Sequence, residues 1–138
     1  MPNRYKALVL SCIDPRFQPL IYRYLKKRKL EGCYSSFTIA GGAVGVTDLK
    51  FKGWHNTFWD NLSTSIELHK IDTLIVINHR DCGAAKIANS NDKFNEEIEE
   101  EIHIKSFKKI KESLKERHPN LSIELNLMSL DETVKRYE

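Results

Sequence analysis

No run in this chain is apolar for anything near the roughly 20 residues that a bilayer-spanning helix needs. No membrane partner is therefore expected. The first residues, Met1-Pro2-Asn3-Arg4-Tyr5-Lys6, lack an apolar segment leading to a small-residue cleavage site, so no secretory signal is visible. Charge of one sign is scarce too. Twenty-two Lys and Arg against 19 Asp and Glu leave a net +3, short of the strongly basic balance of nucleic-acid binders, and no nucleic-acid partner is expected. Cysteine is limited to three residues. That odd, small number argues against a disulfide framework and fits a reducing, cytoplasmic location. What is present is an ordinary globular composition, 41% hydrophobic and 30% charged over 138 residues. It is enough for one domain, residues 1–138, with a core of its own.

Residues 6 to 11 form a short, nearly continuous apolar run, as a strand buried on both faces does. Asp14-Pro15 breaks it, and a helix is expected through Leu30, with Phe17, Leu20, Ile21, Tyr24 and Leu25 on its buried face. The basic end of that helix, Lys26 to Lys29, sits where cations complement the dipole. Ser36 to Ala40 reads as a second strand, running into the glycine-rich Gly41-Gly42-Ala43-Val44-Gly45. Its G-G-x-x-G spacing does not match a dinucleotide fingerprint. Residues 47 to 56 read as a polar connection, and a helix follows from Thr57 to Lys70. Thr73 to Ile77 is the most strand-like run, followed by Asn78-His79-Arg80-Asp81-Cys82-Gly83-Ala84. A short helix to Ala88, a turn at Asn89-Ser90-Asn91-Asp92 and a long helix from Asn95 to Arg117 come next. On that helix Phe94, Ile98, Ile102, Phe107, Ile110 and Leu114 form the apolar stripe, and its acidic first turns need only the dipole to explain them. Pro119 stops it, Leu121 to Met128 reads as a fourth strand, and the last ten residues as a partial helix or tail.

This alternation indicates an α/β fold: a parallel, or mostly parallel, sheet of about four to five strands flanked by helices. Ligands of such sheets bind beyond the strands' carboxyl ends. Cys12, the glycine loop, and His79 with Cys82 all fall at such ends. Two thiolates and one imidazole suit zinc, with a fourth tetrahedral position left open. Zinc there would bring the pKa of a bound water to near neutrality and supply hydroxide. Asp14 and Arg16 follow Cys12 closely. An Asp held by an Arg stays ionised and can orient a zinc-bound hydroxide, or the carboxylate can itself take the fourth position. A phosphate-binding thiol is disfavoured, since the gap from Cys12 to Arg16 is too short to wrap a phosphate. A Cys nucleophile with His79 as base would leave Cys82 unexplained. The plainest alternative is that both cysteines are small core residues. Cys33, and His55, His69, His103 and His118, read as structural or surface residues. His55 and His69 could carry protons if they lie near the site.

Cys12-x-Asp14-x-Arg16 followed by His79-x-x-Cys82-Gly83 resembles the signature of the β-class carbonic anhydrases. Ser65-Ile66-Glu67, Ala40-Gly41-Gly42 and the segment His79 to Ala84 are similar to the family's text as well. The resemblance covers roughly residues 6 to 90. It implies zinc-dependent hydration of carbon dioxide to bicarbonate, with Cys12, His79 and Cys82 binding Zn2+ and the Asp14–Arg16 pair ordering its hydroxide. It also implies a homodimer or higher homo-oligomer. Carbonyl sulfide is an electrophile open to the same attack, and a non-catalytic zinc-binding domain is the reading from another class. Two departures stand out. Thr38-Ile39 occupies the place of the family's usual Arg-Asn, and Asn78 that of the usual Gly before the zinc-binding His.

Overall fold

A computed structural model describes residues 5–89 and 93–138. Five strands form one sheet: β1 (Ala7–Ser11), β2 (Tyr34–Thr38), β3 (Thr73–His79), β4 (Ser122–Met128) and β5 (Val134–Arg136). Their order across the sheet is β2-β1-β3-β4-β5, with every pair parallel except β4–β5. This is the mostly parallel α/β sheet expected from the alternation of elements.

The apolar runs in β1 and β3 are continuous because both sheet faces are covered. Ala7, Val9, Ile75 and Ile77 pack with Phe17, Leu20, Ile21 and Leu25 of the α1 layer (α1, Gln18–Lys27). Leu8, Leu10, Leu74 and Val76 face the other way. There they meet Phe58 and Leu62 of α3 (Lys52–His69) and Phe107, Ile110 and Leu114 of α5 (Glu96–Arg117). Two short helices, α2 (Ala43–Thr47) and α4 (Gly83–Ala88), lie just past the carboxyl ends of β2 and β3.

Three expectations are corrected. Residues 47 to 56 are not an irregular connection. The Asp48 side chain accepts from the Lys50 N–H and starts a 3-10 turn at Leu49–Phe51, which feeds directly into α3. Gly53 lies within that helix and its space is open, so it does not break it. The second strand spans Tyr34–Thr38, two residues earlier than read. The tail is a strand, not a partial helix. Ser129 and Thr133 close the turn, and β5 pairs antiparallel with the end of β4 through Asn126–Arg136, Leu127–Lys135 and Met128–Val134. Of the turn read at Asn89-Ser90-Asn91-Asp92, Asn89 caps α4 and the other three residues lie outside the described residues.

The topology places the site. From β1 the chain moves to β2 on one side, then crosses to β3 on the other. The crevice between β1 and β3 is thus the switch point of the sheet, where open α/β sheets bind ligands. Ser11 pairs with Ile77, so Cys12 leaves β1 alongside the end of β3 that carries His79.

Candidate metal centre at the sheet switch point

Cys12, His79 and Cys82 are all buried, and one donor atom from each lies within 4.8 Å of the others. The strands bring two of them there, and the turn after β3 brings the third. Asp81 in that turn has φ +59, a left-handed conformation uncommon outside glycine, and it swings the chain back so that Cys82 faces Cys12. Cys33 stands apart, half-buried between α1 and β2.

The His79 ring is 1% exposed and stacks on Phe17 at 4.1 Å between centroids. Its Nδ1 lies 2.7 Å from the Arg80 carbonyl oxygen. An N–H there donates to that carbonyl and leaves Nε2 as the lone-pair nitrogen. Nε2 is buried and has no hydrogen-bond partner, which is costly for a polar atom. A cation bound between Nε2 and the two thiols would satisfy it, and soft sulfur and imidazole donors are those that zinc takes. The donor set therefore fits zinc.

Charge reinforces the fit. The Cys12 thiol lies well below the ordinary thiol value, chiefly because of the neighbouring Cys82 thiol, with His79 and the Gly41 N–H lowering it further against the effect of burial. Cys82 is pushed up by the neighbouring Cys12 thiol and by burial. His79 is shifted upward: burial opposes its charged form, but Cys12 and the Arg80 carbonyl outweigh it.

The glycine loop closes over Cys12. The Gly41 N–H donates to Cys12 Sγ at 3.2 Å. Gly42 has φ +56, and a Cβ there would meet Asn78 Oδ1 at 2.8 Å; Gly45 would place one 2.0 Å from the Ala40 carbonyl oxygen. Only glycine permits both approaches.

On the solvent side, Asp14 caps a 3-10 turn (Pro15–Phe17) through the Arg16 N–H. Arg16 then grips both Asp14 oxygens, Nε to Oδ1 at 3.1 Å and one terminal nitrogen to Oδ2 at 2.7 Å. Its other terminal nitrogen reaches Asp81 Oδ2 at 3.0 Å. This Arg16 contact holds the Asp14 carboxyl below its usual range. Asp14 Oδ2 is 3.8 Å from His79 Nε2, so the carboxylate stands at the edge of the donor triad. A mainly apolar cleft of about 530 Å³ opens onto Cys12 and Asp14, lined by Ile13, Ala40, Phe51, Trp54, Ala84 and Ile87.

Sequence reasoning missed the inner side of the centre. His103, read as a surface residue, is fully buried; that expectation is corrected. The α5 face that meets the core runs Glu99, His103, Ser106, Phe107, Ile110, Leu114, one position round from the stripe drawn through Ile98 and Ile102. Glu99 was attributed to the helix dipole alone, yet its oxygens accept the Asp81 and Cys82 N–H groups at 2.9 and 2.7 Å. Burial pushes Glu99 up, but His103 and those N–H groups outweigh it and keep the carboxyl below its usual value. Stepping back from Leu114 by helical spacing lands on 110, 107, 103 and 99, a signal present in the sequence. Asn78 joins the same network, accepting from the Ala43 N–H at 2.9 Å and meeting His103 Nδ1 at 2.9 Å. His55 bonds the Asp48 carbonyl, His69 packs on Tyr5, and His118 meets Ser63; none of them lines the cleft.

Residues 2–130 match the family model described as "Putative carbonic anhydrase". The chain belongs to that carbonic anhydrase family. An uncharacterized protein of Rickettsia conorii is 29% identical over 135 residues, covering 97% of this chain and 73% of that one. The β-carbonic anhydrase CcaA shares the fold, with a TM-score of 0.65 at 16% identity over 99% of this chain and 81% of the other. Tetrameric β-carbonic anhydrases of Sordaria macrospora are similar at 0.64 and 14% over 98% and 81%. The fold of this family member is that of the β-carbonic anhydrases.

Proposed function

We propose that this chain is a zinc enzyme catalysing the reversible hydration of carbon dioxide to bicarbonate. The observation that carries the reading is the buried, partnerless His79 Nε2 facing two thiols at the switch point, with an Arg-held carboxylate beside it. Family membership and fold support the class of reaction.

In this reading Cys12, His79 and Cys82 hold the zinc. When bound, zinc supplies the Lewis acidity that makes hydroxide available near neutral pH. Arg16 keeps Asp14 ionised and fixed in direction, so Asp14 works as an acceptor that orients the attacking oxygen. Both Asp14 oxygens are engaged by Arg16, which supports this role over Asp14 as a fourth ligand. The apolar cleft admits a small neutral molecule and offers little to an ion. Carbonyl sulfide is neutral too, and serves as the comparison substrate.

The working unit is a homodimer or larger assembly of a single domain. Tetrameric relatives support this, as do the exposed apolar side chains Ile13, Trp54 and Ile87 around the cleft. A reducing cytoplasm suits its thiols, and no helix among the described residues is long and apolar enough to cross a membrane. Stopped-flow hydration of carbon dioxide by zinc-loaded protein tests the activity. Catalysis well above buffer is expected. A rate equal to buffer with one zinc bound would leave a non-catalytic zinc domain, and turnover of carbonyl sulfide alone would change the substrate.

A further inference from the structure

Three polar side chains on α5, Glu99, His103 and Ser106, are buried and have no part in the reaction above. Buried polar groups are costly unless bonded, so their partners carry the information. Glu99 spends both carboxylate oxygens on consecutive backbone N–H groups, those of Asp81 and Cys82. These peptide units deliver the Cys82 thiol, and they include the left-handed Asp81. Two charge-assisted bonds on successive N–H groups are what can hold such a turn.

One helical turn further on, His103 meets the Asn78 side-chain amide, which also donates to Ser106 Oγ. The same amide's oxygen accepts the Ala43 N–H. Ala43 follows the Gly41-Gly42 turn, whose Gly41 N–H donates to Cys12 Sγ. Cys82 is tied directly to α5, and Cys12 through a relay. His103 Nε2 is otherwise without a partner and lies 3.8 Å from Glu99 Oε2, so the two side chains steady one another.

We propose that Glu99, backed by His103, is a positioning residue for the metal: its carboxylate fixes the Asp81–Cys82 turn so that the Cys82 sulfur faces Cys12 and His79 before metal arrives. This rests on the zinc reading of those three donors. Glu99 touches neither substrate nor metal and acts through the ligand's backbone. Partners at this remove typically change metal affinity by about 10- to 100-fold.

The test is zinc affinity by competition with a chromophoric chelator, together with cobalt absorption spectra, on the folded full chain. Glu99→Gln is expected to weaken zinc about 10- to 100-fold and to alter the thiolate-to-cobalt bands, with its secondary structure intact. Glu99→Asp keeps the charge but withdraws the carboxylate, and reads out the same way should the glutamine variant not fold. Glu100→Gln is the control. Glu100 is the next residue on the helix and bonds Arg80, Lys135 and Tyr137, so its variant should retain wild-type affinity and spectrum. Wild-type zinc affinity and cobalt bands in the Glu99 variants would overturn the proposal. So would equal weakening in Glu100→Gln, which would mark a general loss of stability. Absence of metal uptake by the wild-type chain would overturn the zinc reading itself.

Discussion

Two carboxylates flank the donor triad from opposite sides, and they are held by different means. Asp14 faces the cleft and is gripped by a side chain, an Arg16 guanidinium that is 45% exposed and shared with Asp81. Glu99 lies in the interior, 5% exposed, and is gripped by backbone N–H groups. A carboxylate at a solvent edge can exchange partners as a substrate arrives. One locked onto peptide N–H groups cannot. The outer carboxylate suits chemistry and the inner one suits geometry, so their substitution should separate activity from structure.

Removing a donor should give the largest effect, because it abolishes what both carboxylates serve. Cys12→Ser or Cys82→Ser is expected to reduce bound zinc from about one equivalent per chain to near zero. Metal analysis after exhaustive dialysis checks this, and full retention in both variants would remove the triad. Asp14→Ala comes next and tests the outer side alone. It should keep its zinc and lower the hydration rate by about 100-fold, the scale of losing a positioned reactant. Losing its 3-10 cap should cost only about 1 kcal/mol. Unchanged turnover would take Asp14 out of the reaction.

The inner side should respond in stability. Gly42→Ala forces a side chain into φ +56 and against Asn78 Oδ1, at an expected cost of about 1–3 kcal/mol. Thermal unfolding of the metal-free protein measures it; an unshifted midpoint would mean that the loop has other room. The smallest effect lies farther out. Glu100 has its pKa lowered to about 2, first by Lys135 and then by Tyr137 and Arg80. A lowered carboxylate contributes stability above its unfolded value, near 4.5, and loses it as pH falls through the folded one. Wild-type stability should therefore decline between about pH 4.5 and 2, and Glu100→Gln should flatten part of that decline. Identical acid limbs would show that the cluster contributes nothing.

The outer side was legible in the sequence because its residues are neighbours in it. Cys12, Asp14 and Arg16 sit within one turn, and His79 and Cys82 flank another, each directly after an apolar run. The strand runs announced the sheet for a like reason: burial on both faces leaves an unbroken apolar signature in β1 and β3. The inner side was not read because it depends on tertiary contact. Glu99 lies 17 positions from the Cys82 N–H that it accepts, inside an acidic turn that the helix dipole already explained. The same holds for His103, whose reading as a surface residue rested on residue type alone. The terminal strand was missed because Val134–Arg136 has no apolar run of its own. It exists through pairing with β4 and through Glu100, which holds Lys135 and Tyr137. Asn78 in place of a glycine stood out in the sequence, but its purpose needed both Ala43 and His103 in view.

The central claim is that the switch point of the sheet is a zinc centre built from two thiolates and one imidazole. X-ray absorption at the zinc edge of the loaded protein tests it most directly. The account predicts two sulfur neighbours at about 2.3 Å and one imidazole nitrogen at about 2.0 Å, with a light-atom ligand completing the shell. A zinc shell without sulfur, or one that persists unchanged in Cys12→Ser, would contradict it.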